Sequence, residues 1–259
     1  MRLRLIVSYE GTEFAGFQRQ SADKGRTVQG TLEEAVSRLA GDLVLLQGAS
    51  RTDAGVHALG QVVAFDTSAT LLPERWPKAL NAHLPPDLRV LGAEAVLPSF
   101  DPRREAVAKT YRYLLDTAVA PRPLYRRFCL QVGPSLDLGA MQQAARALVG
   151  DHDFLSFSGR QHLIGQRRMR EVAVQARSDG LVSIEMTASG FLYHMARNIV
   201  GTLIEVGRHK RAAETMGDIL AGKDRTLAGS TAPARGLTLV QVHYSDPSFL
   251  DTGPAAERH

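Results

Sequence analysis

Asp53 stands in the run Ala49-Ser50-Arg51-Thr52-Asp53-Ala54-Gly55-Val56-His57-Ala58, two residues after a cation. A lone carboxylate so placed can attack an electrophilic carbon, stabilise a cationic sugar or take up a proton. The apolar stretch Leu43–Leu46 precedes the run and the alternating Gln61–Phe65 follows it. Two strands are therefore expected to flank a polar loop and present the acid at a sheet edge, with Gly55 free to adopt positive φ. Taken alone, Arg51-Thr52-Asp53 reads as a turn capped by Asp53 beside a solvated Arg51, and only the rest of the chain can overturn that. His57, four residues on, raises the question of a metal; no other His or Cys has convincing spacing, and two ligands are too few. His57 is expected to be a hydrogen-bonded loop residue, and no metal site is predicted.

Arg197 is the second candidate. Between Phe191 and Gly207, Leu192, Met195, Ile199, Leu203 and Val206 form one helical stripe. Tyr193, Val200 and Ile204 form a second apolar face, and Arg197 falls within it. A helix apolar on most sides is buried, and a buried guanidinium needs a carboxylate or a phosphate. By spacing alone, a structural pair with Glu205 or Asp218 stands level with a functional role.

The elements that must hold these residues follow from periodicity. Leu3–Tyr9 reads as a strand, and a helix after Thr31 carries Leu32, Ala35, Val36 and Leu39, with Thr31 and Glu34 fitting a capping box. Helical spacing runs from Pro73 to Leu84, with Asn81 as a polar residue near its end, and Leu88–Leu91 begins another strand. Near residue 105 the pattern starts again. Ala108–Leu115 alternates, with Tyr111 and Tyr113 on one face; Leu138–Val149 is an amphipathic helix; Met169–Ala176 and Leu181–Ala188 flank the turn Ser178-Asp179-Gly180. Helices Phe191–Val206 and Ala212–Leu220 and a last strand, Leu237–Tyr244, complete the chain. The reading is α+β with two halves, 1–105 carrying the acid loop and 106–245, and a loose tail at 246–259.

The chain of 259 residues is 44% hydrophobic and 22% charged, which is ordinary for a globular protein. Its single cysteine, Cys129, excludes an intrachain disulfide and a multi-cysteine zinc site. No long uncharged apolar run suggests a membrane span, and Met-Arg-Leu-Arg leads into a strand rather than a signal peptide, so a reducing cytoplasm is the expected compartment. Lysine plus arginine total 31 against 27 acids, for a formal charge of +4. Arginines gather at Arg103-Arg104, Arg122, Arg126-Arg127 and Arg167-Arg168-Arg170. Forked guanidinium groups suit phosphates and bases, so RNA is a plausible partner.

Several motifs, in order from about residue 3 to residue 244, together resemble the tRNA pseudouridine synthases that modify the anticodon stem-loop, the TruA family. They are Tyr9-Glu10-Gly11-Thr12 with Phe17-Gln18-Arg19-Gln20, the Arg51-Thr52-Asp53 loop, the run Ala79-Leu80-Asn81-Ala82-His83-Leu84-Pro85, Phe100 with Arg103, and Lys109-Thr110-Tyr111-Arg112-Tyr113. Asp153-Phe154-Leu155-Ser156-Phe157, Phe191-Leu192-Tyr193-His194-Met195-Ala196-Arg197-Asn198 and Asp224-Arg225 through Thr231-Ala232-Pro233 to Gly236-Leu237 complete the set. Departures are Glu10 for aspartate, Phe17 for tryptophan, Ser50 for glycine, Ser230 for proline, and Asp101-Pro102 for histidine-alanine. Ser50 is the one with a stated backbone consequence, since glycine there permits conformations that serine adopts at some cost.

The resemblance implies two ferredoxin-like halves whose antiparallel sheets join side by side, an active cleft between them, and a homodimer. It makes Asp53 the catalytic acid and sets Arg197 beside it. Uridines 38, 39 and 40 of tRNA are the implied targets. Isomerising uridine breaks N1–C1′ and forms C5–C1′ with no net redox change, so no cofactor is called for. Arg51 would fill the space left by the extracted uridine or grip its phosphate. Tyr111 would stack on the flipped uracil, Leu237 would pack beneath it, and Arg103 would support RNA binding. Two rival classes are a non-catalytic tRNA-binding or RNA-folding protein on the same scaffold and an aspartate-dependent nucleoside hydrolase, for which no second carboxylate is apparent.

Overall fold

The computed structural model describes residues 1–160 and 164–245. They form two compact units, Met1–Val107 with the chain from Thr238 onward, and Ala108–Leu237. Both are mixed α+β with mostly antiparallel strands. The tail expected to be loose, 246–259, lies outside the described residues.

The first unit opens with β1, Arg2–Tyr9, buried on both faces except at Ser8. Two arginines lie in it, and each meets the requirement that a buried cation be paired. Arg2 donates to Asp66 (2.6 Å) and to the Phe100 carbonyl (2.7 Å). Arg4 pairs with Glu94 and lies over the Phe100 and Tyr244 rings. Helix α1, Val28–Ala40, buries Val28, Leu32, Ala35 and Val36 at helical spacing. Its cap is Thr27, whose Oγ1 accepts from the Gly30 amide (3.2 Å), so the helix starts a turn before the capping box expected at Thr31. It ends at Gly41, with φ of 75°.

The strand expected at Leu43–Leu46 is not one. Only Gln47–Gly48 forms β2, because side chains of α1 and its C-terminal turn take the preceding backbone groups. Val44 N–H donates to Ser37 Oγ (2.9 Å), Leu46 N–H to Glu33 Oε1 (3.0 Å), and the Gln29 amide donates to Leu46 C=O (3.0 Å). With its N–H and C=O groups so engaged, the segment has no ladder to make. Strand β3, His57–Asp66, pairs antiparallel with β1 and with β2. Helix α2, Trp76–Asn81, seats the fully buried Trp76 edge-on to Phe65 (5.3 Å). Asn81 is structural: its amide donates to Val90 C=O (2.8 Å) and accepts from Val90 N–H (2.9 Å), fixing β4, Leu88–Val96, against the helix. Strand β4 pairs antiparallel with β1.

In the second unit, β5 (Ala108–Asp116) takes the two-residue β6 (Leu130–Gln131) in parallel along one edge. Helix α3, Leu138–Arg146, starts at Asp137, whose carboxylate accepts from Ala140 N–H (2.9 Å). Strands β7 (Gly150–Asp153), β8 (Gln166–Ala176) and β9 (Leu181–Ala188) give the order β5-β9-β8-β7, antiparallel throughout. Helix α4, Met195–Gly207, is buried at nearly every position, as its two apolar faces require. It begins four residues later than its apolar pattern predicts. A Cβ on Gly201 would fall 1.6 Å from Ser230 O, so the chain after α5 (Thr215–Gly222) can cross α4 only over a glycine.

The last strand, β10, Leu237–His243, was expected within the second half. From Thr238 it belongs to the first unit, because it pairs in parallel with the start of β3, Thr238 opposite His57 and Leu239 opposite Ala58. The first unit therefore reads β4-β1-β3-β10. Tyr244 closes it by donating to Pro102 C=O (2.7 Å).

Candidate active site

In the first unit, residues 49–57 form a loop held by hydrogen bonds at Ala49, Ser50, Thr52, Asp53 and Val56. Gln61, fully buried inside β3, grips its base: the side-chain amide donates to Ser50 C=O (2.8 Å) and its oxygen accepts from Ser50 N–H (3.2 Å). Thr52 is buried; its hydroxyl bonds the Tyr9 phenol (2.8 Å) and its carbonyl accepts from Phe17 N–H (3.0 Å). Asp53 C=O accepts from Val56 N–H (3.1 Å) across a turn with Gly55 at φ of 77°. A Cβ on Gly11 would lie 2.0 Å from Val56 O, and Gly16, at φ of 103°, backs onto Thr52 and Ala54. His57 heads β3 rather than sitting in the loop, and its Nδ1 accepts from Gly11 N–H (3.0 Å). The hydrogen-bonded role expected of it holds.

Asp53 is half-buried and Arg51 is exposed, and Arg51 has no hydrogen bond or ion pair among the described residues. Ser50 lies outside the positive-φ region, so serine there bears no left-handed strain. Phe17 is buried with its ring against Gly48, where a Cβ would come within 2.4 Å of it. The aromatic position thus wedges β2 beside the loop.

In the second unit, Arg197 lies in the first turn of α4 and is half-buried rather than buried, since the helix begins only at Met195. Its Nε donates to Ala232 C=O (2.7 Å), and Ala232 N–H returns a bond to Arg197 C=O (3.1 Å). Glu205, one structural partner considered for it, is engaged by Arg211 (3.2 Å) and by Ser230 N–H (3.0 Å). Asn198, fully buried, donates to Phe157 C=O (2.7 Å) and accepts from Arg225 (3.1 Å) and Thr231 (2.6 Å). The chain from Asp224 to Leu237 is thereby fastened along α4.

Tyr111 is buried on β5 with its ring edge-on to Phe191 (4.8 Å). Tyr113, two residues on, is committed elsewhere: its hydroxyl donates to Pro233 C=O (2.8 Å), and burial raises its pKa well above the usual phenol value. Gly236 passes against that ring, where any Cβ would come within 2.4 Å, and delivers Leu237, which is buried, to the start of β10.

Arg103 is exposed on a turn in the first unit that Asp101 organises by accepting from the Arg103 and Arg104 amides (2.8 and 2.9 Å). The Arg104 amide, above all, holds the Asp101 carboxyl below its ordinary value, against the opposing effect of burial. A groove of about 500 Å³ lies elsewhere on this unit, between α1 and Arg19–Thr27. Its arginines are paired, Arg19 with Glu33, Arg26 with Asp87 and Arg38 with Glu34, so it carries little free positive charge.

Gln61, Tyr9, Gly11 and Gly16 brace the acid loop beyond the residues expected from the sequence. Gln61 had a signal, an amide inside an otherwise apolar strand, which must find partners when buried. Among the described residues no group of three or more His, Cys, Asp and Glu side chains could hold a metal, and no helix is long and apolar enough to cross a membrane.

Comparison with known proteins adds an independent line. A family model described as tRNA pseudouridine synthase matches residues 5–103 and 144–245. A protein of Shouchella clausii named tRNA pseudouridine synthase A is 46% identical over 256 residues, 98% of this chain and 97% of its own length. Proteins of the same name from Geobacillus kaustophilus and Myxococcus xanthus are 44% and 42% identical, covering 96% and 95% of this chain and 96% and 92% of their own lengths.

Proposed function

The chain belongs to the tRNA pseudouridine synthase family, and we propose that it isomerises uridine to pseudouridine at positions 38, 39 and 40 of the tRNA anticodon stem-loop. The observation that carries this reading is the acid loop: hydrogen bonds tie down Ser50, Thr52, the Asp53 carbonyl and Val56 around a half-buried Asp53, and Arg51 beside it is exposed. Such bracing is what a reacting carboxylate needs, because small misplacements cost large factors in rate.

In this reading Asp53 acts on the uridine as nucleophile, as stabiliser of a cationic sugar, or as base towards a glycal. Arg197 supports it as the paired cation. Its guanidinium is oriented by the Ala232 carbonyl, which accepts from Nε. Arg51, with no ion pair of its own among the described residues, takes the place of the extracted uridine or holds its phosphate. Tyr111 stacks on the uracil and Leu237 packs beneath it. Tyr113 is set apart from that role by its bond to Pro233. Arg103, exposed on its turn, supports RNA binding. The finer architecture we propose is two ferredoxin-like halves meeting side by side around the cleft, in a cytoplasmic homodimer.

Tritium release from C5-labelled uridine in tRNA tests the reading, since only C–C bond formation at C5 expels that hydrogen. Wild-type protein is expected to release it; Asp53→Asn is expected to release none while still binding tRNA. A pure RNA binder releases nothing in any form, and a nucleoside hydrolase yields free uracil instead. Normal turnover by Asp53→Asn would show that another group does the chemistry.

A further inference from the structure

An unpaired arginine is held ready at the N-terminal end of α4, and nothing in the proposed chemistry uses it. Arg160 is exposed, forms no ion pair among the described residues, and carries its guanidinium 4.7 Å from the centre of the Tyr193 ring. Tyr193 is 41% exposed, an unusual position for a large aromatic at the head of a buried helix. It stacks on the imidazole of His194, with centroids 3.8 Å apart and planes 23° from parallel.

The backbone is shaped to make this stack. His194 has φ of 61°, a left-handed conformation that a residue with a Cβ adopts only against a local cost. Gly159 donates to Tyr193 C=O (2.8 Å) and approaches so closely that a Cβ there would lie 2.9 Å from Tyr193 Cδ1 and 3.0 Å from His194 Nδ1. Ser158, nearly fully buried, then folds the chain around Arg160: its Oγ accepts from Arg160 N–H (3.2 Å) and donates to Arg160 C=O (2.8 Å). Asn198 ties the same strip to α4 through Phe157 C=O. Arg160 is thus fixed at the end of the helix that bears Arg197.

We infer that Arg160 is a phosphate grip for the RNA backbone, oriented by the Tyr193–His194 stack. A guanidinium lying on a ring has its charge oriented by the π face, while its N–H edges stay free for a two-pronged contact with phosphate oxygens. The stack reduces the side-chain freedom lost on binding, which is the usual advantage of a pre-placed cation. The ligand is a phosphodiester of the substrate RNA, so the inference rests on the reading of this chain as a tRNA-modifying enzyme.

The test measures unmodified tRNA binding and turnover across roughly 50 to 200 mM salt. Arg160→Ala is expected to weaken binding several-fold, to raise KM more than it lowers kcat, and to reduce the slope of log affinity against log salt by about one. Tyr193→Leu is expected to reproduce the weakening with no change in charge, and Tyr193→Phe to restore affinity because the ring remains. Arg38→Ala, which removes the same charge from an arginine paired with Glu34, serves as comparator. Equal effects of Arg38→Ala and Arg160→Ala, or wild-type affinity in Arg160→Ala, would overturn the inference. Wild-type protein that neither binds nor modifies tRNA would instead sink the functional reading beneath it. Thermal melting of each variant separates loss of contact from loss of fold.

Discussion

Gln61→Leu isolates the bracing of the acid loop from the chemistry it supports. The side chain is fully buried and close in volume to leucine, so the substitution leaves little cavity. It removes the donor to Ser50 C=O, the acceptor for Ser50 N–H, and an acceptor for Val62 N–H at 3.1 Å. Each such bond contributes about 1 kcal/mol net, and more where the orphaned group stays buried. Ser50 is only half-buried, so water recovers part of the loss. The expected destabilisation is about 2–3 kcal/mol, concentrated at the base of the loop. If that difference falls wholly on the population of the competent loop, kcat drops by roughly 30- to 150-fold. A drop of about 10- to 100-fold is therefore expected, with KM for tRNA altered little, because the variant leaves the side chains proposed to bind phosphate in place. Tritium release at saturating tRNA gives kcat, and denaturant unfolding gives the stability change. A folded Gln61→Leu protein with kcat within twofold of wild type would refute the claim that the Ser50–Gln61 clamp sets the position of Asp53.

Two further variants probe other links. Gly11→Ala sets a methyl 2.0 Å from Val56 O, on backbone rather than a yielding side chain, so the loop must move. Activity is expected to fall at least tenfold, with a lower melting temperature; an unaffected tritium-release rate would mean the loop tolerates displacement. Asp116, almost fully buried on β5, is held below the ordinary carboxylate range first by hydrogen bonds from Arg122, against the effect of burial. A depressed folded-state pKa contributes stability that is present above the unfolded value, 3.8, and is lost as pH falls through the folded one. Asp116→Asn should therefore melt below wild type at pH 7, and the gap should close on acidification below about pH 4. Melting curves at stepped pH check it, and a gap independent of pH would assign the effect to packing alone.

The acid loop was legible because its signal is local: a polar run with an acid and a glycine, then an alternating strand. Helix α4 was legible in its interior for the same reason, its apolar faces needing only one helix to be read. Its start was not. Apolar spacing continues back to Leu192, and nothing in the letters announces the left-handed turn at His194 that breaks the helix there. Leu43–Leu46 alternates in burial as a strand should, with Leu43 and Leu45 outward and Val44 and Leu46 inward. It makes no ladder, because Ser37, Glu33 and Gln29 answer its backbone from a helix whose side-chain directions periodicity does not specify. The first helix starts a turn earlier than its capping box predicts, since Thr27 and Thr31 are both acceptable caps and only the fold selects Thr27. Least legible was the partner of the last strand. Parallel pairing of Thr238 with His57 joins positions far apart in sequence, and hydrophobic pattern marks both as strands without saying that they meet.

That pairing has a consequence for how the protein comes into being. The strand that leaves the acid loop has part of one edge covered by Thr238 and Leu239, delivered after the whole of the second unit. During synthesis the first unit therefore waits, its nascent sheet open beside His57, until Thr238 and Leu239 have left the ribosome. A chain stalled or clipped before Thr238 retains every residue of the acid loop and still lacks the rail on which its strand is laid.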